Sequence, residues 1–303
     1  MFDTIIIGAG PTGMSAAVYS TRRMMKTLLI SKNIGGQVIW ASEIKNYPGI
    51  DIISGVDLIN KMKQQVKDLG ADIKIGEIKA INKKDDGTFL VETDKDSYSA
   101  KTIIIAMGLA PRQLNLAKEK ELTGRGISYC ATCDGPLFRG KDVAVIGGGN
   151  SALDAAEVMS KIANKVYLIC NESQLRAFES LVSTVKSKDN VEIILNSEPS
   201  EIIGETKLEK IKVISKIDQS IRELMVGGLF IEIGHEPKTE ILSDLVKRDN
   251  FGQVITDSSG KTSCDGVFAA GDVTQNEFKQ IIIGCGQGAT AALSAYKYLQ
   301  AKK

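Results

Sequence analysis

The sequence predicts an α/β protein built from two nucleotide-binding βαβ units, the second inserted into the first. Two glycine-rich turns carry this prediction: GAGPTG at residues 8–13 follows the apolar run at 4–7, and GGGNSA at 147–152 follows the apolar run at 143–146. Each turn lies between a strand-like run and a helix-prone segment, which is the context in which such turns bind dinucleotides. We therefore expect two Rossmann-like domains within 303 residues.

The first unit is predicted to begin with a buried strand at residues 4–7, a helix at 13–22 and a strand at 27–30. Apolar residues at helical spacing predict a further helix over residues 57–69. Strand-like runs follow at 73–75, 88–92 and 102–106. The segment Gly108-Leu109-Ala110-Pro111 then interrupts regular structure and predicts a crossing into a second domain.

From Lys141 the same order repeats, with a predicted strand at 143–146, a helix at 150–162 and a strand at 165–169. Further strands are predicted at 191–195, 211–215 and 228–233, and Gly234-His235-Glu236-Pro237 predicts the return crossing. A strand at 266–272 and a helix at 284–299 complete the chain. The predicted domains are therefore residues 1–111 with 241–303, and residues 112–240 inserted between them.

The composition argues against several classes of protein. The 38 Lys+Arg residues balance 37 Asp+Glu, whereas nucleic-acid and membrane-surface proteins usually carry a basic excess. No apolar run reaches the roughly 18 residues of a membrane span, and no secretory signal is recognised, so we expect a cytoplasmic protein. His235 is the single histidine, so we expect neither a Ser-His-Asp triad nor a metal site.

A Cys-x-x-Cys pair, Cys130-Ala131-Thr132-Cys133, precedes the second glycine turn. Near a helix start, such a pair lowers the pKa of one thiol and keeps the second sulfur within reach. Asp134 can carry protons to and from these sulfurs as a disulfide opens. Two nucleotide sites and a dithiol predict a flavoenzyme that exchanges electrons with a disulfide. The remaining cysteines, Cys170, Cys264 and Cys285, are expected to be buried small apolar residues.

The residues after the predicted strand at 165–169 should select the nucleotide of the second unit. An acidic residue there binds the ribose 2′-hydroxyl of NAD, whereas arginine accommodates the 2′-phosphate of NADP. This chain has Cys170-Asn171-Glu172, with Arg176 as one cation further on. These residues leave the choice between NADH and NADPH open.

Together the motifs resemble the low-molecular-weight thioredoxin reductases. The resemblance covers essentially the full chain and rests on five segments: IIIGAGPTG at 5–13, GGQ at 35–37, NYPG at 46–49, CATCDG at 130–135 and AAGDV at 269–273. The body of the alkyl hydroperoxide reductase flavoprotein subunit is similar, but that subunit adds an N-terminal module with its own cysteine pair. Glutathione reductase and its larger relatives fit poorly, because their cysteine pair closely follows the first glycine turn.

The resemblance implies a homodimer with FAD on the discontinuous domain, which reduces thioredoxin or a similar redoxin. Cys133 would be the sulfur nearest the flavin, Cys130 would attack the partner, and Asp134 would shuttle the proton. The implied cofactor-binding residues on the FAD domain are Gly8, Gly10, Pro11, Gly13, Ser31, Gly36, Gln37, Asn46, Gly271, Asp272, Lys279, Gln280 and Ile281. Those implied on the inserted domain are Gly147, Gly149, Ala152 and Arg176.

The chain departs from the family at the nucleotide-selecting segment. Members that use NADPH carry His-Arg-Arg-x-x-x-Arg there, and only Arg176 matches. Each lost phosphate contact removes a charge-assisted hydrogen bond, roughly 1.5–3 kcal/mol. NADH, weakly bound NADPH and a ferredoxin donor therefore remain alternatives. A reductase that feeds a peroxiredoxin-type system and a redox-sensing flavoprotein without turnover are the alternative functions.

Overall fold

The structure is a computed structural model and describes residues 1–41 and 44–302. Its strands are β1 (Phe2–Ala9), β2 (Thr27–Ile34), β3 (Asp72–Ile75), β4 (Ile78–Lys83), β5 (Phe89–Thr93), β6 (Ser97–Ile105), β7 (Ala110–Pro111), β8 (Ile127–Ser128), β9 (Asp142–Ile146), β10 (Lys165–Ile169), β11 (Val191–Ile194), β12 (Ser197–Ile203), β13 (Lys210–Ser215), β14 (Ile221–Met225), β15 (Gly228–Ile231), β16 (His235–Glu236) and β17 (Val267–Ala269). Its α-helices are α1 (Pro11–Arg22), α2 (Gly55–Asp68), α3 (Glu119–Leu122), α4 (Ala131–Asp134), α5 (Asn150–Ser160), α6 (Glu179–Lys186) and α7 (Ile281–Gln300). Short 3-10 helices cover Gly36–Trp40, Gly135–Phe138, Glu240–Leu242 and Gly271–Val273.

The chain divides into two compact units, which we call the outer unit (Met1–Ala110 with Glu236–Lys303) and the inserted unit (Pro111–His235). The sequence placed the second boundary after residue 240, whereas the units divide after His235. The predicted fold class, with one Rossmann-type domain inserted into another, is confirmed.

The outer unit is built on a seven-stranded sheet in the order β3-β2-β1-β6-β5-β4, with β17 paired to β6. Strands β1, β2, β3, β6 and β17 pair in parallel, while β4 and β5 form an antiparallel extension of β6. Alternate residues of β1 pack into the cores on opposite faces of the sheet, because successive side chains of a strand point to opposite faces. Ile6 packs with residues of α1 and α7, and Ile5 and Ile7 pack with residues on the opposite face.

The inserted unit has three layers, with a parallel sheet in the order β11-β10-β9-β15-β8 in the middle. Helices α5 and α6 cover one face, where Val145 and Phe230 pack with Leu153. The antiparallel sheet β12-β13-β14 covers the other face, where Ile146 packs with Val213. Parallel sheets need cover on both faces, and these two layers supply it.

Among the strands and α-helices of the described residues that are longer than four residues, β4, β12, β14 and α6 had no counterpart in the sequence prediction. Strand β14 is mostly exposed and β4 is an outermost strand of its sheet. Neither strand therefore has a continuous apolar run in its sequence. Strand β12 contains Pro199 and an irregular register beside it, which removes the usual strand signal. Helix α6 has only Val185 fully buried. No helix in the described ranges is both long and apolar enough to cross a membrane.

Candidate active site

The first glycine turn of the outer unit is shaped by close backbone contacts. Gly8 has φ +111°, and a Cβ there would lie 2.1 Å from Ala106 O at the end of the neighbouring strand. A Cβ on Gly13 would lie 1.8 Å from Gly8 O, so α1 can follow the turn this tightly only with glycine. Both positions therefore exclude any side chain on packing grounds alone.

Gly10 differs from these two glycines because a Cβ there would meet no close contact. It is the N-cap of α1, Pro11 follows at the first helical position, and the described residues provide no side-chain cap for the helix. A Cβ on Gly10 would approach only Gly35 O, at 3.9 Å. The uncapped helix start beside an open cradle is the arrangement that binds a pyrophosphate, so these residues fit FAD.

A second segment of the outer unit faces the same turn. Gly36 has φ +56°, and a Cβ there would lie 3.6 Å from the Cα of Gly10. The Gln37 side chain donates to Leu109 O at 2.7 Å. Ser31 lies inside β2, where its carbonyl accepts a hydrogen bond from Gly76 N–H at 3.0 Å. Gly36 therefore lies beside Gly10. Gln37 is hydrogen-bonded to Leu109, near the end of the Met1–Ala110 segment of the outer unit.

The C-terminal segment adds the remaining predicted residues of the outer unit. Asn46 Nδ2 donates to Gln280 Oε1 at 3.2 Å, across a sequence separation of 234 residues. Gln280 is the N-cap of α7 and Ile281 is its first residue. Lys279 Nζ donates to the backbone carbonyls of Asp272 and Thr274 at 3.1 and 2.7 Å. Burial lowers the pKa of Lys279, although Asp272 and Asp249 oppose that shift.

Helices α1 and α7 meet through glycines at Thr12. A Cβ on Gly271 or Gly284 would lie 2.4 or 2.5 Å from Thr12 Oγ1, and a Cβ on Gly288 would lie 2.2 Å from Thr12 O. Gly271 also has φ +77° and donates its N–H to Gln287 Oε1 at 2.9 Å. This packing holds the Gly271-Asp272 segment beside the start of α1.

The dithiol lies in the inserted unit at the start of α4. Cys130 is the N-cap residue, and Cys130 and Cys133 form a disulfide with a Cα–Cα distance of 5.4 Å. Cys133 N–H donates to Cys130 Sγ at 3.3 Å. Both cysteines are half-buried.

Ser128 connects Asp134 to the dithiol, and sequence reasoning missed it. Ser128 Oγ donates to Asp134 Oδ2 at 2.6 Å and accepts the N–H of Cys130 at 3.0 Å. The Ser128 side chain is buried at 4 % exposure. Its position two residues before Cys130 could have indicated this role, because a serine hydroxyl can form hydrogen bonds with the turn that follows it.

The second glycine turn combines tight and open positions in the same way as the first. Gly147 has φ +139°, and a Cβ there would lie 2.3 Å from Glu232 O. Gly149 is the N-cap of α5, and a Cβ there would meet nothing within 4 Å. Ala152 is fully buried in the helix that follows. The turn borders a cleft of about 890 Å³ whose lining includes Arg112, Asn171, Glu172, Glu198 and Glu232.

The nucleotide-selecting segment folds back on this turn. Arg176 N–H donates to Gly148 O at 2.7 Å, which places Arg176 beside Gly149. The Arg176 guanidinium forms an ion pair with Glu172. The cation that matches the family pattern therefore has a carboxylate partner within its own segment.

The three cysteines outside the dithiol are free thiols. Cys170 is buried at 3 % exposure, and its Sγ lies where a Cβ on Gly148 would come within 2.4 Å. Cys285 is also buried, and burial raises the pKa of its thiol. The expectation of burial was wrong for Cys264, which is partly exposed, with Lys83 Nζ 3.8 Å from its Sγ. The described residues contain no cluster suited to a metal ion.

The chain is similar to known proteins along almost its whole length. The profile of the pyridine nucleotide-disulphide oxidoreductase family matches residues 2–288. A thioredoxin reductase of Listeria innocua is 39% identical over 306 residues, which cover 100% of this chain and 95% of that protein. The crystal structure of Lactococcus lactis thioredoxin reductase is 38% identical, with a TM-score of 0.87 over 99% of this chain and 100% of that one. T. acidophilum thioredoxin reductase is 37% identical, with a TM-score of 0.84 over 100% of this chain and 99% of that one. The chain therefore belongs to the pyridine nucleotide-disulphide oxidoreductase family and, within it, to the low-molecular-weight thioredoxin reductases.

Proposed function

We propose that this protein is an FAD-dependent thioredoxin reductase whose redox centre is the Cys130–Cys133 pair, reduced at the expense of a nicotinamide nucleotide. The observation that carries the proposal is the disulfide at the start of α4, in the unit that also holds an open glycine turn. Asp134 and Ser128 are hydrogen-bonded at this disulfide, so a proton-carrying group accompanies the sulfurs. Thioredoxin, as the substrate of the similar enzymes, is the proposed electron acceptor.

FAD would be held by the outer unit. The N-terminus of α1 with Gly10 would receive its pyrophosphate, and Gly36, Asn46 and Gln280 would line the neighbouring space. Asp272 and the start of α7 would contribute from the C-terminal segment. The chemistry that FAD supplies when bound is two-electron transfer to the disulfide.

Cys130 is the proposed nucleophile toward thioredoxin, and Cys133 is the proposed sulfur on the flavin side. The Cys133 N–H already points at Cys130 Sγ, so a thiolate on Cys130 would receive a hydrogen bond without rearrangement. Asp134, held by Ser128, would donate and accept the proton of the opening pair.

NADH is the proposed nucleotide. Glu172 lines the cleft and pairs with Arg176, so the end of β10 presents a carboxylate where a 2′-phosphate would need cations. Glu198 adds a second carboxylate to the same lining, against Arg112 as the cation there. A ribose 2′-hydroxyl can donate to such a carboxylate, whereas a 2′-phosphate would be repelled.

A ferredoxin donor is the second candidate, because the cationic side chains typical of NADPH-using members are replaced at Cys170, Asn171 and Glu172. The open N-cap at Gly149 favours a nucleotide over this alternative.

We also propose a homodimer, from the family resemblance, which light scattering of the purified protein can test. The three free thiols support a reducing, cytoplasmic location.

An anaerobic titration of the FAD-loaded protein tests the donor. NADH, NADPH and photoreduced ferredoxin are added in turn, flavin absorbance is followed, and thiols formed on added thioredoxin are counted. Stoichiometric bleaching by NADH with thioredoxin thiols appearing supports the proposal. Bleaching by ferredoxin alone would leave the reductase assignment standing and overturn the nucleotide; no thioredoxin thiols with any donor would overturn the reductase itself.

A further inference from the structure

Glu119, the first residue of α3, has a carboxylate that is buried inside the inserted unit. The residue is 4 % exposed, and it is the one acidic or basic residue among the buried polar residues in the parts of the chain that the structure describes. A buried carboxylate is stable only when hydrogen-bond donors replace the water that it has lost. The donors around Glu119 therefore show what this side chain holds in place.

Two of these donors come from the segment that leads into α3. Leu114 N–H donates to Glu119 Oε1 at 3.0 Å, and Leu116 N–H donates to Glu119 Oε2 at 3.4 Å. Leu114 and Leu116 also line the cleft of about 890 Å³ that borders the second glycine turn. The carboxylate thus holds part of the wall of this cleft.

The third donor comes from the dithiol segment. Tyr129 Oη donates to Glu119 Oε1 at 2.7 Å, and Tyr129 directly precedes Cys130 in the chain. Burial raises the pKa of Tyr129 above its ordinary value, and the Glu119 carboxylate acts in the same direction. The phenol therefore stays protonated near neutral pH, so that Tyr129 donates and Glu119 accepts.

Helix α3 gives the carboxylate a fixed base. Leu122 of α3 is 1 % exposed and packs in the same core as Ile127 of β8. Gly124 N–H donates to Ile127 O at 2.9 Å, so the chain after α3 is attached to the strand that leads to the dithiol. Tyr129 packs against this core as well, but apolar packing has no preferred direction. The hydrogen bond to Glu119 supplies the direction that packing alone lacks.

We propose that Glu119 is a positioning residue for the redox-active pair, holding Tyr129, and with it the backbone that enters Cys130, in a fixed position relative to the wall of the cleft. The phenol bond fixes the dithiol segment, and the two N–H bonds fix the wall. Ser128 holds Cys130 separately, through the Cys130 N–H. Loss of the phenol bond should therefore displace the proposed attacking sulfur without disturbing the cleft.

Tyr129→Phe removes the phenol bond alone, and single-turnover kinetics measures the effect. FAD-loaded protein is reduced anaerobically with two electrons from dithionite and mixed with oxidised thioredoxin over a range of concentrations. Thiols formed on thioredoxin are counted after an acid quench, which gives the limiting rate and the half-saturating concentration. The limiting rate should fall by about three- to tenfold, the effect of losing one hydrogen bond, while the half-saturating concentration stays unchanged.

The affinity for ADP-ribose, measured by calorimetry, separates the two parts of the role. Both N–H bonds to Glu119 remain in Tyr129→Phe, so this variant should bind ADP-ribose as wild type does. Glu119→Gln offers one acceptor oxygen to three donors, so its limiting rate and its affinity should both fall, by about twofold or more. Tyr98→Phe is the matched control, because Tyr98 Oη donates to Asp96 Oδ2 at 3.1 Å on the surface of the outer unit. This control should match wild type in both measurements.

A side chain that only stabilises the fold would lower the melting temperature of Tyr129→Phe and leave the limiting rate of the folded, FAD-loaded protein unchanged. That result would overturn the inference. An equal loss of ADP-ribose affinity in Tyr129→Phe and Glu119→Gln would also overturn it, because the phenol would then act on the cleft. Should one variant fail to fold, the limiting rate of the other decides: a fall supports the inference, and the wild-type rate overturns it.

The inference rests on the proposed function, and the same experiment separates the two. Wild-type protein that forms no thioredoxin thiols would overturn the proposed reductase function. Wild-type protein that reduces thioredoxin at the same limiting rate as Tyr129→Phe would overturn the role of Glu119 alone.

Discussion

Ser128 Oγ donates a 2.6 Å hydrogen bond to Asp134, and the same oxygen accepts the N–H of Cys130 at 3.0 Å. One buried hydroxyl therefore sets the position of the proposed proton carrier relative to the dithiol. A hydrogen bond to a carboxylate is typically stronger than one between neutral groups. The position of Asp134 should accordingly depend on this serine.

Ser128→Ala should lower kcat for thioredoxin reduction by about ten- to a hundred-fold, because Asp134 loses a charge-assisted hydrogen bond of about 1.5–3 kcal/mol. The rate is measured over a range of pH, since displacement of a proton carrier also alters the pH profile. Ser187→Ala, at the end of α6, is the control. An unchanged rate and profile in Ser128→Ala would show that Asp134 does not need this support.

Cys130→Ser should retain FAD and fold normally but lose thioredoxin reduction, because the proposed attacking sulfur is gone. FAD content is read from the absorbance of the purified protein, and thioredoxin thiols are counted under anaerobic conditions. Cys264→Ser is the matched control in the outer unit and should keep wild-type turnover. Thioredoxin reduction that survives in Cys130→Ser would assign the attack to another thiol.

Replacement by alanine should lower the stability of the protein at Gly148 and leave it unchanged at the neighbouring Gly149. Gly148→Ala places a Cβ 2.4 Å from Cys170 Sγ, which should cost about 1–3 kcal/mol of stability through overpacking. Removing the sulfur in Gly148→Ala/Cys170→Ala should recover part of that loss in a thermal melt. Gly149→Ala meets nothing within 4 Å, so it should melt like wild type.

The open position at Gly149 should instead matter for the nucleotide. A methyl group there enters the space in which the pyrophosphate would approach the start of α5, so ADP-ribose affinity should fall in Gly149→Ala. Calorimetric titration of the purified variants checks this. Undiminished affinity in Gly149→Ala would indicate that the turn is a packing element and not a nucleotide site.

Glu172→Arg should shift the nucleotide preference toward a 2′-phosphate. The change removes the partner of Arg176 and adds a cation beside it. The ratio of affinities for 2′-phospho-ADP-ribose and ADP-ribose should rise by about tenfold or more, as expected for one or two charge-assisted contacts. Glu201→Arg adds the same charge to the surface of β12 and should leave the ratio unchanged. A ratio unaffected by Glu172→Arg would remove Glu172 from nucleotide selection.

Glu232 should make the stability of the protein depend on pH. Its pKa in the folded protein, about 7, lies above the ordinary value of 4.5, so the folded state binds this proton more tightly than the unfolded state. The stabilisation is complete below the ordinary pKa and is lost as the pH rises toward the folded-state pKa. Glu232→Gln lacks this loss, so its melting temperature relative to wild type should rise by about 2–8 °C between pH 5 and pH 8. Parallel melting curves for the two proteins across that range would contradict the assignment.

Local patterns were enough to predict much of the fold. The apolar runs of β1, β9 and β10, each preceded by a charged residue, are recognisable as buried strands without knowledge of their neighbours. The dithiol and both glycine turns also lie within short stretches of chain. By contrast, β12 and β14 depend on each other's pairing with β13, and neither carries a strong signal alone.

Adjacent residues alone specify the two glycine turns, the spacing of Cys130 and Cys133 and the residue types at the end of β10. The contact of Asn46 with Gln280 and the packing of Cys170 beside Gly148 arise only in the folded protein. These contacts join residues from separate strands and helices, so they depend on how the sheets and helices pack. Local sequence preferences carry no information about that packing, and the chemistry of the dithiol depends on both.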